Sequence, residues 1–245
     1  MRFDWNEQTI GWFMDAGAYT GFHKTLAELI VPHLAPGGTL CDLGCGLGRL
    51  DIELAPFMTE ITAVDINESA LIILRDEAAA SGLNNLTVMN SDAAALTGTF
   101  DVVLMSFFGQ SNMLEFLKLC RRRLIRIVSA DNKSGLYPQK YRCKVKDTVP
   151  IVQDELDAKG ISYKLYLHSI EFGQPLRSWQ DAIEYILKNA PEASIDEVND
   201  FLNKSIIHTD ESDFPLYLPN QKELGIFVLD KVDAGGAVKP ARPSK

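Results

Sequence analysis

The sequence predicts an α/β fold in which a mostly parallel sheet is covered by helices on both faces. Residues 39–50 read as a short apolar run, a turn with glycines at alternate positions and the start of an amphipathic segment. Residues 100–106 form an almost unbroken apolar run, as expected for a central strand that is buried on both faces. With 245 residues, the chain can form one domain of this kind with an added elaboration.

The glycine-rich turn is the feature that points to a ligand. Gly44, Gly46 and Gly48 follow the first strand at alternate positions. Glycine adopts positive φ without a Cβ clash and lets a ligand lie directly against the backbone. The helix that follows begins with N–H groups that have no partner within the helix and suit a negatively charged or polar ligand. The stretch therefore predicts a nucleotide-binding turn.

The glycine spacing distinguishes between two cofactors. A dinucleotide fingerprint needs its third glycine at position 49, which is Arg49 in this sequence. The observed pattern, Asp42-x-Gly44-x-Gly46-x-Gly48, resembles the first motif of the class I S-adenosylmethionine-dependent methyltransferases. The resemblance implies a Rossmann-like methyltransferase fold with a seven-stranded, mostly parallel sheet. It also implies S-adenosylmethionine as cofactor, S-adenosylhomocysteine as product, and cofactor contacts from Asp42, Gly44, Cys45, Gly46 and Gly48.

A carboxylate at the end of the second predicted strand, residues 61–65, agrees with this resemblance. Asp65 follows Gly48 at close to the roughly 20-residue separation at which Rossmann-type units place an acid against ribose hydroxyls. Asp65 could instead help to cap the following helix, but Asn67 already supplies a capping residue there. We therefore expect Asp65 to bind the ribose and the adjacent Ile66 to contact the cofactor.

The ends of the third and fourth strands, residues 86–89 and 100–106, supply further candidates. The resemblance implies that Asp92 binds the adenine amino group and that the backbone N–H of Ala93 binds the ring, although an aspartate in a loop is also common in turns. It likewise implies that Ser106 and Phe107 contact the cofactor and that Phe108 contacts the substrate. The Asn/Asp-Pro-Pro-aromatic and Pro-Cys motifs of DNA methylases are both missing here, which disfavours a nucleobase as acceptor.

The N-terminal segment, residues 6–34, reads as two helices with an aromatic cluster. The resemblance implies that these helices cover the cofactor and contribute to the substrate cleft. Tyr19 and His23 are the predicted substrate contacts, and His23 is the candidate catalytic base. Core packing of the aromatic residues and of the histidine is the alternative interpretation.

The remaining elements complete the predicted organisation. Helices are predicted at 68–80, 110–123 and 149–158, and strands at 124–128, 161–172 and 224–229. Asn112 and Glu115 stand in capping-box register, and basic residues 121–123 suit the C-terminus of that helix. Two amphipathic helices that begin after Ser178 and Ser194 form a predicted cap.

These elements divide the chain into five predicted parts. They are an N-terminal helical lid (1–37), a cofactor-binding core (38–172), a helical cap insertion (173–222), the last strand of the core (223–232) and a disordered tail (233–245).

Composition narrows the partners and the location. Four cysteines show neither a C-x-x-C pair nor histidines at metal spacing, so no metal site is expected. The net charge of -9 works against attraction to a polyanion and makes nucleic acid an unlikely partner. No apolar run of about 18 residues predicts a membrane span, and we expect a cytoplasmic protein. The oligomeric state is not predicted.

The function implied by the resemblance is methyl transfer to an oxygen, nitrogen or other nucleophile of a small molecule. The alternatives are a protein or RNA methyltransferase and a non-catalytic S-adenosylmethionine-binding module. A propylamine-transferring relative and a nicotinamide dehydrogenase are further alternatives.

Overall fold

A seven-stranded mixed sheet forms the centre of the computed structural model, which describes residues 5–109, 113–141 and 147–231. The strands are β1 (Thr39–Leu43), β2 (Glu60–Asp65), β3 (Leu86–Asn90), β4 (Phe100–Ser106), β5 (Cys120–Ser129), β6 (Lys164–Glu171), β7 (Gln174–Leu176), β8 (Ile207–His208), β9 (Leu216–Leu218) and β10 (Gln221–Asp230). The helices are α1 (Glu7–Thr20), α2 (Phe22–Ile30), α3 (Arg49–Leu54), α4 (Glu68–Ala80), α5 (Val149–Ala158), α6 (Trp179–Asn189) and α7 (Ile195–Ser205).

The main sheet has the order β3-β2-β1-β4-β5-β10-β6. Strands β1 to β5 pair in parallel, whereas β10 runs antiparallel to both of its neighbours, β5 and β6. This arrangement confirms the predicted seven-stranded, mostly parallel sheet. Because β6 consequently runs in the same direction as β5, the carboxyl ends of six strands and the amino end of β10 meet at one edge of the sheet.

Burial on both faces explains why β4 reads as a continuous apolar run. Val102 and Leu104 lie in the core on the face covered by α2 and α3, while Val103 and Met105 lie in the core on the face covered by α5. All four side chains have no exposed surface. Alternate residues of a strand point to opposite faces, so a strand between two helical layers must be apolar throughout.

Local signals define the N-terminal helices. The Asn6 side chain accepts a hydrogen bond from the Thr9 backbone N–H at 3.0 Å, and the Thr9 hydroxyl accepts one from the Asn6 N–H, also at 3.0 Å. Gly21 ends α1 with a φ of 65° and starts α2. A residue in this left-handed conformation turns the chain between the two helices.

The segment that was predicted to form a cap contains two helices and a second sheet. Ser178 and Ser194 cap α6 and α7, as predicted, and Ser194 forms a reciprocal capping box with Glu197. A three-stranded sheet with the order β7-β9-β8, which the sequence pattern did not indicate, lies beside these helices. Its strands are only two or three residues long, too short for a visible alternation of apolar and polar residues.

Trp12 attaches the cap to α1. The indole Nε1 donates a hydrogen bond to Asp181 Oδ1 at 2.8 Å, and the Gln174 side-chain amide donates to the Trp12 carbonyl at 3.1 Å. The Trp12 ring also packs edge-on against Tyr185, with ring centres 5.2 Å apart. The N-terminal helix and the cap insertion therefore meet through specific polar and aromatic contacts.

The predicted helix at 110–123 is wrong in its second half. A 3₁₀ helix spans Met113–Leu119, and β5 already begins at Cys120; Gln110 and Asn112 lie outside the described residues. The basic residues 121–123 belong to this strand, so the macrodipole explanation for them is also wrong. Arg121 and Arg123 instead form ion pairs with Asp101 and Asp230 of neighbouring strands. The basic residues at the start of β5 pair with acids of neighbouring strands, and in the sequence they resemble the basic residues that are common at the C-terminus of a helix.

Two strand boundaries also differ from the prediction. The sixth strand is shorter than 161–172, and the last strand begins three residues before position 224, so that Gln221 and Lys222 belong to the core sheet. The predicted disordered tail at 233–245 lies outside the described residues. Within residues 5–109, 113–141 and 147–231, no helix has the length and apolar character needed to cross a membrane.

Candidate functional site

The glycine turn lies at the sheet edge where the parallel strands end. Gly44 has a φ of 77° and Gly46 a φ of 56°, values that L residues with a Cβ rarely adopt. The backbone N–H groups of Gly44 and Cys45 both donate to the Val64 carbonyl, at 2.7 and 3.1 Å. The turn is thus fixed to β2 on one side and leaves a backbone face without side chains on the other.

Aromatic rings lie against this bare backbone face. A Cβ placed on Gly44 would come within 2.1 Å of Phe108 Cδ2, and one on Gly46 within 3.2 Å of Trp5 Cζ2. Glycine is therefore required at Gly44 by both its backbone angles and its surroundings. A flat ligand that displaced these rings, or bound beneath them, would contact the peptide planes of Gly44 and Gly46 directly.

Gly48 has a different neighbour. A Cβ on Gly48 would lie 2.3 Å from Leu74 Cδ1, a fully buried side chain of α4. This glycine permits close packing of the turn against α4 and starts α3 with a φ of 63°. Its predicted contact with the cofactor stays a prediction.

Asp65 connects the end of β2 to the glycine turn. Its Oδ2 accepts a hydrogen bond from the Gly46 N–H at 2.9 Å, and its Oδ1 accepts one from the Asn67 N–H at 2.8 Å. Asn67 also caps α4 through its own side chain, as predicted. Because each carboxylate oxygen has two lone pairs, the Asp65 carboxylate retains acceptor capacity for two hydroxyl groups.

Three further candidates surround Asp65 at the ends of β2 and β3. Ile66 is exposed beside it, and the Ser91 N–H donates to the Asp65 carbonyl at 3.0 Å. Asp92 is exposed; its Oδ1 accepts from the Ala94 N–H at 2.9 Å and starts a 3₁₀ turn in which Ala93 is buried. The Asp92 side chain thus caps a turn, which was the alternative interpretation. Its other carboxylate oxygen, Oδ2, is the atom that could bind a ligand.

A pair of buried carboxyl groups lies beneath the glycine turn. Asp42 at the end of β1 is 2% exposed, and Asp51 in the first turn of α3 is fully buried. Among the described residues, no donor reaches Asp42 Oδ1 or either oxygen of Asp51 in their ionised forms. Burial raises the pKa of Asp42 to about 7 and raises the pKa of Asp51 well above its usual range. Burial and the repulsion between the two carboxyl groups therefore favour a proton shared by the Asp51–Asp42 pair.

Cys45 shares this environment. Burial, and then the negative charge of the nearby Asp51–Asp42 pair, raise the pKa of the Cys45 thiol well above its usual value. The thiol is therefore protonated at neutral pH, and a contact between Cys45 and a ligand would come from its backbone or from a neutral side chain.

Ser106 and Phe107 lie at the end of β4, beside the glycine turn on β1. Phe107 has a φ of 49°, which makes it the one non-glycine residue with positive φ in the described part of the chain, and its side chain is 36% exposed. The Phe107 N–H donates to the Ile127 carbonyl at 2.9 Å. Such strained backbone in a bulky residue concentrates at binding and catalytic sites.

His23 lies in an aromatic cluster at the same edge. The imidazole is 8% exposed and contacts the rings of Phe13, Phe22 and Phe172, with ring centres 5.3, 5.2 and 6.0 Å away. Burial, and then the charges of Arg49 and Lys222, lower the pKa of His23 to about 3. His23 is therefore near the glycine turn but neutral at physiological pH, and it is a weak proton acceptor.

Tyr19 joins a different cluster. Its ring stacks on Tyr217 of β9, with ring centres 4.9 Å apart, and packs edge-on against Phe214 at 6.0 Å. These contacts connect α1 to the cap. The structure thus groups Gly44, Gly46, Asp65, Phe107, Phe108 and His23 around one edge of the sheet and places Tyr19 at the join between the N-terminal helices and the cap.

Two residues at this edge were missed by the sequence prediction. Lys222 was assigned to the cap, although it stands two residues before buried Leu224 on the same face of β10. A search for period-two alternation that extended upstream of the apolar run could have found it. Asp51 was missed because nothing in the sequence indicates that an aspartate in a helix will face a second one at the end of β1.

The arrangement fits the sulfonium nucleoside that the sequence motif implies. The backbone of Gly44 and Gly46 has no Cβ, so a ligand chain could lie against it once the Phe108 and Trp5 rings that cover it move aside. Asp65 offers acceptors for a sugar diol next to it. Exposed Ile66 provides an apolar surface for a base. The residues present can therefore hold each part of such a molecule.

Comparison with known proteins agrees with this interpretation. Residues 40–126 match the profile of a family described as a methyltransferase domain. The YcgJ protein of Bacillus subtilis has the same fold, with a TM-score of 0.59 at 13% identity over 86% of this chain and 100% of that structure.

Two curated relatives are rRNA methyltransferases. The 23S rRNA (uracil(1939)-C(5))-methyltransferase RlmD of Shewanella sp. strain ANA-3 is 30% identical over 122 residues, 46% of this chain and 27% of the relative. The ribosomal RNA small subunit methyltransferase G of Psychrobacter cryohalolentis is 28% identical over 163 residues, 65% of this chain and 61% of the relative. The chain thus spans less than two thirds of the length of either relative. These relatives do not support the expectation that nucleic acid is an unlikely partner. Residues 40–126 therefore resemble a methyltransferase domain, in agreement with the similarity to the class I S-adenosylmethionine-dependent methyltransferases that the sequence motifs indicate.

Proposed function

We propose that this protein transfers the methyl group of S-adenosylmethionine to an oxygen, nitrogen or other nucleophile of a small molecule. The observation that carries the proposal is the 2.9 Å hydrogen bond from the Gly46 N–H to Asp65, which holds the acid of β2 beside the bare glycine turn. A cofactor with a charged amino-acid end and a sugar diol requires these two features side by side.

Each part of the cofactor is assigned to a neighbouring group of residues. Asp65 binds the ribose hydroxyls, the exposed Ile66 side chain lies against the adenine, and the loop after β3 binds the edge of the base. The amino-acid end lies on the glycine turn. The remaining contacts in this proposal come from Asp42, Cys45, Gly48, Asp92, Ala93, Ser106 and Phe107.

The bound cofactor supplies an electrophilic methyl group on a positively charged sulfur. The protein holds the methyl group and the acceptor in line and keeps water away from them. Holding two reactants in line is worth about 7–11 kcal/mol of the barrier. The rings of Phe107, Phe108 and Phe172 and the neutral imidazole of His23 make the acceptor end of the cleft apolar. Such surroundings exclude water that would otherwise solvate the nucleophile.

The N-terminal helices and the cap favour a small acceptor. In this proposal, residues 1–37 act as a lid and residues 173–222 as a cap, and the Tyr19–Tyr217 stack and the Trp12–Asp181 hydrogen bond hold them together. In this proposal, two covering elements that are joined in this way restrict the entrance to the site. The net charge of -9 also disfavours a polyanionic acceptor.

RNA is the second candidate acceptor, because both rRNA methyltransferases described above match this chain. A single labelling experiment separates the candidates. The protein is incubated with S-adenosylmethionine that carries an isotope in its methyl group, together with a deproteinised small-molecule extract, total RNA or total protein in parallel. We expect label in the small-molecule fraction. Label confined to RNA or to protein would contradict the proposal, and Asp65→Ala serves as the control with impaired cofactor binding.

A further inference from the structure

Asp42 and Asp51 meet beneath the glycine turn and belong to the two elements that this turn joins. Asp42 lies in β1, where it pairs with Ala63 of β2 and Leu104 of β4, and Asp51 lies in the first turn of α3. Their side chains are within hydrogen-bonding reach of each other. Asp42 is 2% exposed and Asp51 has no exposed surface, so the pair is shielded from water.

The surroundings do not stabilise the pair in its doubly ionised form. Within the described residues, no donor reaches Asp42 Oδ1 or either oxygen of Asp51 when both groups are ionised. A buried carboxylate without donors is costly, and two of them side by side repel each other. One proton shared between the two groups lowers both costs, because it supplies a donor and removes a charge. The geometry thus predicts a proton on the pair that a change in the local charge can remove.

Among the described residues, the charges that act on the pair are negative. Asp65 at the end of β2 adds its charge to those of the pair itself. The neighbouring Cys41 and Cys45 thiols are neutral at physiological pH, because burial, followed by these acidic groups, raises their pKa. Arg49 at the start of α3 forms an ion pair with Glu77 of α4 at 2.5 Å. The turn above the pair therefore favours a ligand group that carries a positive charge.

A cofactor on the glycine turn would bring a positive charge to the pair. In the function proposed above, the amino-acid end of S-adenosylmethionine lies on this turn, and it carries an ammonium group. Asp42 precedes Gly44 by two residues, a separation of at most about 7 Å along the backbone. A positive charge at such short range favours the ionised form of a carboxyl group and lowers its pKa. Because burial raises the pKa of Asp42 to about 7, a modest further change near neutral pH is enough to remove the proton.

We propose that the Asp42–Asp51 pair releases its shared proton to solvent when the ammonium group of the cofactor binds at the glycine turn. The pair then carries one more negative charge, which balances the charge of the ammonium group, and no covalent bond of the cofactor changes. The proposal rests on the function proposed above and gives a role to Asp51. Asp51 is a positioning residue, because it is fully buried and acts on the cofactor through Asp42 and the turn.

Isothermal titration calorimetry in two buffers with different heats of ionisation, phosphate and imidazole, measures the proton release at about pH 7. The difference between the observed heats gives the number of protons released for each S-adenosylhomocysteine bound. We expect about 0.5–1 proton, which makes the affinity rise about three- to tenfold for each pH unit between about pH 6 and pH 7. 5′-Methylthioadenosine has the same nucleoside without the amino-acid end, and it should bind without releasing a proton.

Two variants locate the source of the proton. Asp51→Asn keeps a hydrogen-bond donor to Asp42 and removes the titrating group, so S-adenosylhomocysteine should still bind but release less than about 0.2 proton. Glu53→Gln removes an acid from the same helix and should release as much as the unmodified protein. His23 is not a source of this proton, because with a pKa of about 3 it is already neutral at this pH.

The outcomes separate this inference from the proposed function. Binding of S-adenosylhomocysteine to the unmodified protein without proton release, equal release by 5′-methylthioadenosine, or a release that survives in Asp51→Asn would overturn the role of the pair while cofactor binding stands. Failure of the unmodified protein to bind S-adenosylhomocysteine would overturn the proposed function and this inference with it.

Discussion

Asp42 and Asp51 face each other beneath the glycine turn, where burial keeps a proton on the pair at neutral pH. The unfolded chain releases that proton near pH 4, the ordinary range of aspartate. Between that pH and the folded pKa of Asp42, about 7, the native state holds a proton that the unfolded state does not. The contribution of the pair to stability is therefore fully present below about pH 4 and is lost as pH rises toward 7 and above.

Replacing Asp51 by asparagine should make the protein more stable at alkaline pH. In Asp51→Asn, the amide donates permanently to Asp42 and removes one buried acid. We expect the midpoint of thermal unfolding at pH 8 to rise by about 2–4 °C for each kcal/mol gained, and the gain to shrink toward pH 5. Unfolding is followed by circular dichroism at both pH values. Glu53→Gln on the same helix is the matched control, and an equal gain in that variant would contradict the explanation.

His23 allows a second prediction at this scale. Because its imidazole is buried among aromatic rings with a pKa of about 3, we expect His23→Ala to lower turnover by about tenfold rather than the 10²–10⁴-fold typical of a lost general base. Affinity for S-adenosylhomocysteine should not change. The measurements are steady-state kinetics and calorimetry, with His33→Ala as control because His33 lies against Tyr166, away from the glycine turn.

The pH profile provides an independent check on His23. A histidine with an ordinary pKa would give an inflection in the rate near pH 6.5. We expect none from His23. Turnover in His23→Ala equal to that of the unmodified protein would remove this residue from the site.

At the scale of elements, the glycine turn is held by the strand and the helices that surround it. Gly44 and Cys45 are bonded to β2, Asp65 holds Gly46, and Gly48 packs against α4. Two elements, β2 and α4, thus hold one short loop, and glycine is needed at its three positions for different physical reasons. Gly44 and Gly46 lie against the rings of Phe108 and Trp5, whereas Gly48 packs against the buried Leu74.

Gly48→Ala should therefore destabilise the fold. The new Cβ would meet Leu74 at 2.3 Å, and the φ of 63° would itself be strained. We expect a loss of at least about 2 kcal/mol, which lowers the unfolding midpoint by roughly 4–8 °C.

A second glycine offers the matched control. Gly11→Ala lies within α1, where nothing stands within 4 Å of a Cβ, and should stabilise the protein by roughly 0.5–1 kcal/mol. Denaturant unfolding measures both variants. A Gly48→Ala protein as stable as the unmodified one would contradict the packing role.

At the scale of the whole molecule, the cleft is formed by parts that are far apart in sequence. The turn at Gly44, the end of β4 at Phe107, the N-terminal His23 and the late Lys222 all meet at one edge of the sheet. A ligand that binds several of these parts at once should stabilise the complete fold, because binding to the native state alone shifts the unfolding equilibrium.

Thermal shifts should therefore separate the proposed cofactor from nicotinamide nucleotides. At about 100 times its dissociation constant, S-adenosylhomocysteine should add about 2.7 kcal/mol, which corresponds to a rise of roughly 5–10 °C. NAD at the same concentration should produce no shift, because position 49 lacks the third glycine of the dinucleotide fingerprint. A shift with NAD but not with S-adenosylhomocysteine would contradict the cofactor assignment.

The sequence by itself determined the sheet and the position of the glycine turn and Asp65 at its edge. The glycine turn, Asp65 at the end of β2 and the buried run of β4 could be read directly, because each depends on residues close together in the chain. The prediction failed for residues 120–123, where cross-strand ion pairs with Asp101 and Asp230 stabilise a strand that looks locally like a helix end.

Only the tertiary structure decided which distant side chains meet. It placed Lys222 against Phe107, Tyr19 against Tyr217, and Asp51 against Asp42. The first two pairs join segments that lie far apart in the chain, and the third joins β1 to α3 across the glycine turn. Local periodicity carries no information about which distant side chains meet, because long-range packing of strands and helices sets those contacts.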